Sequence, residues 1–409
     1  MSEITRSEPI NRTVADLMPP VLLERLQTRA LLVGVIGAAA CILGAATNTQ
    51  QFMRSYLVGY MLGLGLSLGS LGLLMMQYLT KGNWGFLIRR QLEAGSRVLP
   101  LMAVLFLPIV LGINGLYPWS EAGRKMLTEE DLHQFKMQAY LTPKFFVIRA
   151  IIYFAVWIAL AYFLNKWGKE QDREDVPDLP RSRRYQTLCG PGLVVFCITV
   201  TLAVIDWVMS LDIHWYSTMY GLIFIDGQGL IAMCFIIMMT AALFKYRPMS
   251  QVLVPQTLHD LGNLTLAMVM LFAYFSFSQF LIIWSGNLPE EIHWYIDRIR
   301  TNWGAVALAI ALFHFAIPFF LLLHKPIKRN LKTLLPVVMI LFLARYIDML
   351  WYIAPNFKDS RGSFSWMDLA CPVAVVGLWI AAFCWQLRSR PLFPVYDPLW
   401  TEVDKLHGH

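Results

Sequence analysis

Apolar positions in this chain follow neither the two-residue alternation of a half-buried strand nor the 3.6-residue stripe of a surface helix. They run on in blocks of roughly 20 residues, the length that crosses ~30 Å of hydrocarbon as α-helix. Ten blocks are legible: Ala30–Thr47, Tyr56–Leu79, Val98–Tyr117, Phe145–Asn165, Leu188–Asp212, Tyr216–Phe244, Leu261–Ser285, Trp303–Leu323, Leu334–Ala354 and Met367–Leu387. The predicted fold class is an all-α integral membrane protein with ten transmembrane helices. Residues 1–29 form an N-terminal segment, 30–387 the transmembrane domain and 388–409 a tail.

Composition excludes an ordinary soluble domain, since 57% of the 409 residues are hydrophobic and only 15% are charged. An even number of spans puts both termini on one side. Segments on that side carry 23 Lys and Arg against nine on the other, with Arg149 and Arg345 inside spans. By the positive-inside rule both termini are expected to be cytoplasmic. The net charge of +7 expresses this orientation and is not read as a nucleic-acid surface.

Glu3, Glu8, Asp16 and Glu24 precede the first block and make a poor signal-peptide n-region, so an anchored first span is expected. Val14–Leu26 can lie on the cytoplasmic surface as an amphipathic helix or dock on a partner. Glu129, Glu130 and Asp131 after Thr128 predict a short capped helix, and the aromatic and basic KGNWGFLIRRQLEAGSR, residues 81–97, predicts an interfacial segment. LPLMAVLFL (99–107) resembles LPVVMILFL (335–343), which suggests either a parallel repeat or chance.

Six cysteines, all within or at the ends of spans, include no CxxC or CxxCH, which argues against covalent haem, zinc and iron–sulfur ligation and favours packing. Only His314 of the eight histidines falls near mid-membrane, whereas a haem held between helices needs two. No cofactor or metal is expected on this chain.

An ionisable group at bilayer depth costs roughly 2.5–3.5 kcal/mol on insertion scales, so each one needs a reason. His259 and Asp260 open the seventh span. Asp226, His314 and Arg345 lie near the middle, Asp348, Asp206 and Arg149 in the outer third, and Asp212 and His214 at the outer surface. His259, Asn263, Met270, Tyr274 and Ser278 share a helix face expected to line a hydrated path. Thr199, Asp206 and Ser210 share another. Gly227 and Gly229 around Gln228 predict a loosened helix that frees carbonyls for water. Duller roles stand beside these: Arg345 and Asp348, at i and i+3, can neutralise one another, and His314 can be a packing residue. Trp and Tyr near span ends read mainly as an aromatic belt.

Three stretches carry a resemblance: DWVMSLDIHWYST (206–218), HDLGNLTLAMVMLFAYFSFSQFLIIWSGNLPEEIHWYIDR (259–298) and LFLARYIDMLWYIAP (341–355). Across all ten spans the chain resembles the F-type membrane subunit of bacterial alternative complex III, a quinol:cytochrome c oxidoreductase; that family is of the polysulfide-reductase type. The resemblance implies two four-helix bundles plus flanking helices in the inner membrane. It implies quinol oxidation in a complex with a paralogous membrane subunit and with partners that carry c-type haem and iron–sulfur clusters. Two roles are then expected. One is a proton pathway and scaffold using Asp206, Asp212, His214, Asp226, His259, Asp260, Tyr274, His314, Arg345 and Asp348. The other is a quinone site at the outer interface formed by Asp206, Trp207, His214 and Trp215. A purely structural assembly role is the third reading.

Overall fold

The computed structural model describes residues 17–125, 140–172, 179–357, 364–394, 397 and 400. The capped helix expected at Thr128–Asp131 lies outside the described residues, as do part of the Val14–Leu26 segment and most of the tail. The fold is 84% helical with no strand among the described residues.

Ten helices are long and apolar enough to cross a membrane: α1 (Leu22–Thr47), α2 (Thr49–Thr80), α3 (Trp84–Leu111), α4 (Pro143–Gln171), α5 (Arg183–Leu211), α6 (Tyr220–Leu243), α7 (Pro255–Gly286), α8 (Trp303–Leu323), α9 (Leu331–Asn356) and α10 (Trp366–Arg388). Helices α2 to α5 close one four-helix bundle and α6 to α9 a second, with α1 and α10 paired on the flank against α2. The Leu392 amide donates to the Leu17 carbonyl at 2.8 Å, so the described terminal segments meet at one end of the bundles. The 99–107 string belongs to the second helix of its bundle and the 335–343 string to the fourth of the other, so their likeness does not follow the bundle order.

Helices α2 and α6 form the seam between the bundles, and 94% and 78% of their apolar windows are buried, against 22% in α1 and α8. Lipid is as apolar as leucine, so such a seam holds by close van der Waals approach, which small residues permit. A Cβ on Gly69 would overlap the Gln228 carbonyl of α6, and one on Gly59 would stand 2.7 Å from Pro372 of α10. Gly34 and Gly37 of α1 likewise meet the backbone of α10 at Leu378 and Ala374. Large apolar residues face outward elsewhere, including Ile36, Leu43, Ile151 and Leu111.

Two segments differ from the sequence expectation. Residues 83–96 are helical, continue toward the third span and bury Arg89, Arg90 and Glu93, so this stretch is not an interfacial surface segment. Arg90 bonds Glu93 and Asp172, and Arg89 bonds Asp397, which pins the tail. Helix α6 runs unbroken through Gly227 and Gly229. Gly227 instead makes room for the Arg345 guanidinium, which occupies the space that a Cβ would fill. Helix α8 does widen into a π-helical turn over Ala311–Ala316. Pro318 supplies the cause: it has no N–H for the carbonyl of His314 four residues earlier, and its ring crowds that carbonyl.

Candidate functional site

The predicted polar residues divide between the two bundles. In the first, Asp206 of α5 is fully buried and forked by Arg149 of α4: Nε donates to Oδ2 at 2.7 Å and Nη2 to Oδ1 at 2.9 Å. The Tyr153 hydroxyl donates to Oδ2 at 2.9 Å, and the guanidinium stacks 3.8 Å from the Tyr140 ring centroid. Thr199 and Ser210 face inward as expected, but both are occupied, accepting from Trp157 and Trp119. Trp207 is buried among Tyr60, Phe106, Phe154 and Trp157.

In the second bundle several of the predicted polar groups lack such satisfaction. Arg345 of α9 donates to Asp348 one turn on, and both are buried. The Arg345 guanidinium packs against Gly227 of α6, the residue after Asp226. Asp226 Oδ2, both amide atoms of Gln228 and both ring nitrogens of His314 are buried with no hydrogen-bond partner among the described residues. Buried polar groups are nearly always paired, so unpartnered titratable side chains such as Asp226 and His314 are a functional signal. His314 lies on the π-helical turn, its ring 4.0 Å from that of Phe272.

Toward the end remote from the termini the column continues through Tyr220 and Tyr352, whose rings stand 5.3 Å apart, to Arg298. Arg298 covers the Trp294 ring at 3.5 Å and donates to the Trp294 carbonyl and to Asn356. Burial brings its pKa down to about 10. Trp215 stacks on Trp294 at 4.3 Å. Asp212 meets His293 Nε2 at 3.3 Å and accepts from the His214 amide at 3.0 Å. Burial pushes the Asp212 carboxyl up, but these two hydrogen bonds outweigh it and hold the pKa below the usual carboxylate value.

At the terminus end, His259 contacts Asp260 and Asn263, and Lys328 donates to Asn263 Oδ1 at 2.6 Å. Burial lowers the pKa of Lys328. Between this group and His314 lie buried Leu261, Thr265, Met268 and Phe272.

Three expectations are revised by these placements. The face carrying Asn263, Met270 and Tyr274 points outward, with Tyr274 64% exposed, because the opposite face packs into the bundle. Asp206 belongs to the first bundle, away from Asp226. Trp207 and Trp215 pack in different bundles, so with Asp206 and exposed His214 they do not line one pocket. What α7, α8 and α9 do form is a cavity of about 650 Å³, bordered by Tyr274, Phe277, Phe315 and Trp351 and reaching Asp348.

Arg298, His293 and Lys328 do not stand out in the sequence. Trp294 and Arg298 at i and i+4 on the short helix Pro289–Ile299 are the available sign of a cation over an aromatic face. Lys328 offers none, because its role depends on where α7 passes.

Among the described residues no three His, Cys, Asp or Glu come together in a way that could hold a metal ion. The chain matches no protein-family model, and no curated protein matches it. The fold and site define a multi-pass helical membrane protein with a polar column inside one of its two bundles.

Proposed function

We propose that this chain is a proton-conducting and scaffolding membrane component of a quinol-oxidising complex of the alternative complex III type, with both termini cytoplasmic. The observation that carries this reading is the column of titratable groups in the α6–α9 bundle: His259, Asp260 and Lys328 at one end, His314, Arg345, Asp226 and Asp348 in the middle, and Arg298, Asp212 and His293 at the other. A titratable group without a fixed partner can take up and release a proton, whereas a forked ion pair holds its charge. Asp226 and His314 are the exchanging groups, and Arg345 is the fixed charge that sets their balance. The apolar interval from Leu261 to Phe272 divides the column into two half-paths, as a gated conduit requires. The likeness of residues 206–218, 259–298 and 341–355 to the F-type membrane component of that complex supports the coupling partner, a quinol oxidised in a paralogous chain.

The test is proton release per electron in the intact complex carrying Asp226→Asn. The expected result is a lower ratio with electron transfer retained; an unchanged ratio refutes the pathway.

A second reading, quinone binding by this chain, is favoured by the cavity beside Asp348. Its volume falls in the ~300–1,000 Å³ range of small-molecule sites, and it combines apolar walls with a carboxylate and the buried Trp351 Nε1. Labelling of Tyr274 or Phe277 by a photoreactive quinone supports this reading, and labelling confined to another chain of the complex excludes it.

A further inference from the structure

At the end where the termini meet, α3, α4 and α10 leave between them a cavity of about 420 Å³. Arg97, Lys166, Lys169 and Arg390 line it, and none of its lining residues is acidic. Arg390 is balanced by Glu93 at 3.2 Å. Arg97 is not: it donates to two neutral acceptors, Ser389 Oγ at 3.2 Å and the Gln386 carbonyl at 2.8 Å, and its Nε is buried without a partner. Lys166 and Lys169 have no carboxylate within ion-pair distance among the described residues. Three cations therefore converge on one cavity, and the nearby carboxylate, Glu93, is already shared by Arg90 and Arg390; the excess of positive charge is a repulsive arrangement that an anion relieves.

A second, independent feature points into the same space. Asn165 is 4% exposed and spends its amide nitrogen on Ser96 Oγ and the Ala161 carbonyl, which leaves Oδ1 buried and unpartnered. An acceptor so placed asks for a hydroxyl donor. The rest of the wall is apolar, from Pro100, Ile158 and Tyr162, and Tyr162 and neighbouring Phe163 continue it onto the outer face of α4.

The geometry points to a binding site for an anionic phospholipid with a hydroxylated head, of the phosphatidylglycerol class. Its phosphate lies among Arg97, Lys166 and Lys169, its head-group hydroxyl donates to Asn165 Oδ1, and an acyl chain follows Ile158 and Tyr162. The continuous apolar wall selects a lipid over a free anion. Basic pockets between helices at a membrane face bind anionic head groups by the same physics.

The test titrates the delipidated full-length protein in detergent with phosphatidylglycerol and with phosphatidylcholine, reading bound lipid by native mass spectrometry. Lys166→Gln with Lys169→Gln removes two exposed cations. Each basic group near an anionic lipid contributes about a fivefold factor, so the pair is expected to weaken phosphatidylglycerol binding roughly 30-fold. Lys81→Gln with Lys245→Gln, exposed cations at the same end, is expected to leave it unchanged. Equal affinity for the two lipids, or equal losses in both double variants, overturns the site. Competition by inorganic phosphate or by the chainless glycerophosphoglycerol head at the lipid's own concentration shows a free-anion site and overturns the assignment to lipid.

Discussion

Arg149 and Asp206 meet as a two-pronged pair, 2.7 and 2.9 Å across α4 and α5, and this contact separates two aspartates that look alike in the sequence. Asp206 also accepts from Tyr153, so its charge is fully employed in holding two helices together. Asp226, on α6 in the other bundle, has its Oδ2 unpartnered. The same residue type is thus a clasp in one bundle and carries an unpartnered oxygen in the other.

Removing one side of the clasp leaves a buried, uncompensated carboxylate. Arg149→Met is expected to destabilise the protein by about 3 kcal/mol, whereas Arg149→Met with Asp206→Leu recovers most of the loss, because well-packed apolar residues replace buried ion pairs at little cost. Thermal unfolding in detergent reads both. A melting temperature equal to that of the native protein in the single variant shows the pair to be dispensable.

Asp226→Asn and Asp206→Asn are expected to diverge. The first breaks no ion pair, so its melting temperature holds while proton release per electron falls. The second weakens the α4–α5 contact and lowers the melting temperature with the proton ratio intact. Melting curves and proton counting on the same two preparations test the contrast, and identical behaviour of the two variants contradicts it.

The bundle seam gives a paired prediction. At Gly69 a methyl would meet the Gln228 carbonyl, a backbone atom that cannot swing aside, so Gly69→Ala is expected to cost roughly 1–3 kcal/mol or prevent assembly. At Gly65 the nearest atoms are 3.5 Å away. There alanine should stabilise by about 0.5–1 kcal/mol through its better helix propensity. Yield and melting temperature of the two variants decide the matter; a tolerated Gly69→Ala disproves the close approach.

Asp212 makes stability depend on acid. Its folded-state pKa is lowered, so it contributes stability above the unfolded carboxylate value and loses it as pH falls through the lower, folded value. His293→Ala removes the strongest of the interactions that lower this pKa. The acid limb of a melting-temperature profile should then flatten below about pH 4, the unfolded carboxylate range. An unaltered acid limb assigns that dependence to other groups.

The membrane architecture is legible in the sequence because hydropathy adds up locally, residue by residue, and needs no knowledge of neighbours. All ten spans can be read that way, although α3 begins at Trp84 rather than near Val98, since the charges of 89–93 hide a helix that is buried by pairing. Some of the site is legible for the same reason: an ionisable residue within an apolar run is conspicuous, and Asp206, Asp226, His314, Arg345 and Asp348 are all visible.

The number of crossings, their approximate limits and the unusual positions within them are therefore local properties of the chain. Which of those positions meet depends on how the helices pack. Asp206 became a satisfied clasp because α4 brings Arg149 to it, the polar face of α7 turned outward because its other side packs better, and Gly227 proved to be room for an arginine instead of a break. Pairing depends on which helices touch and at what depth, and no local property of a helix carries that information.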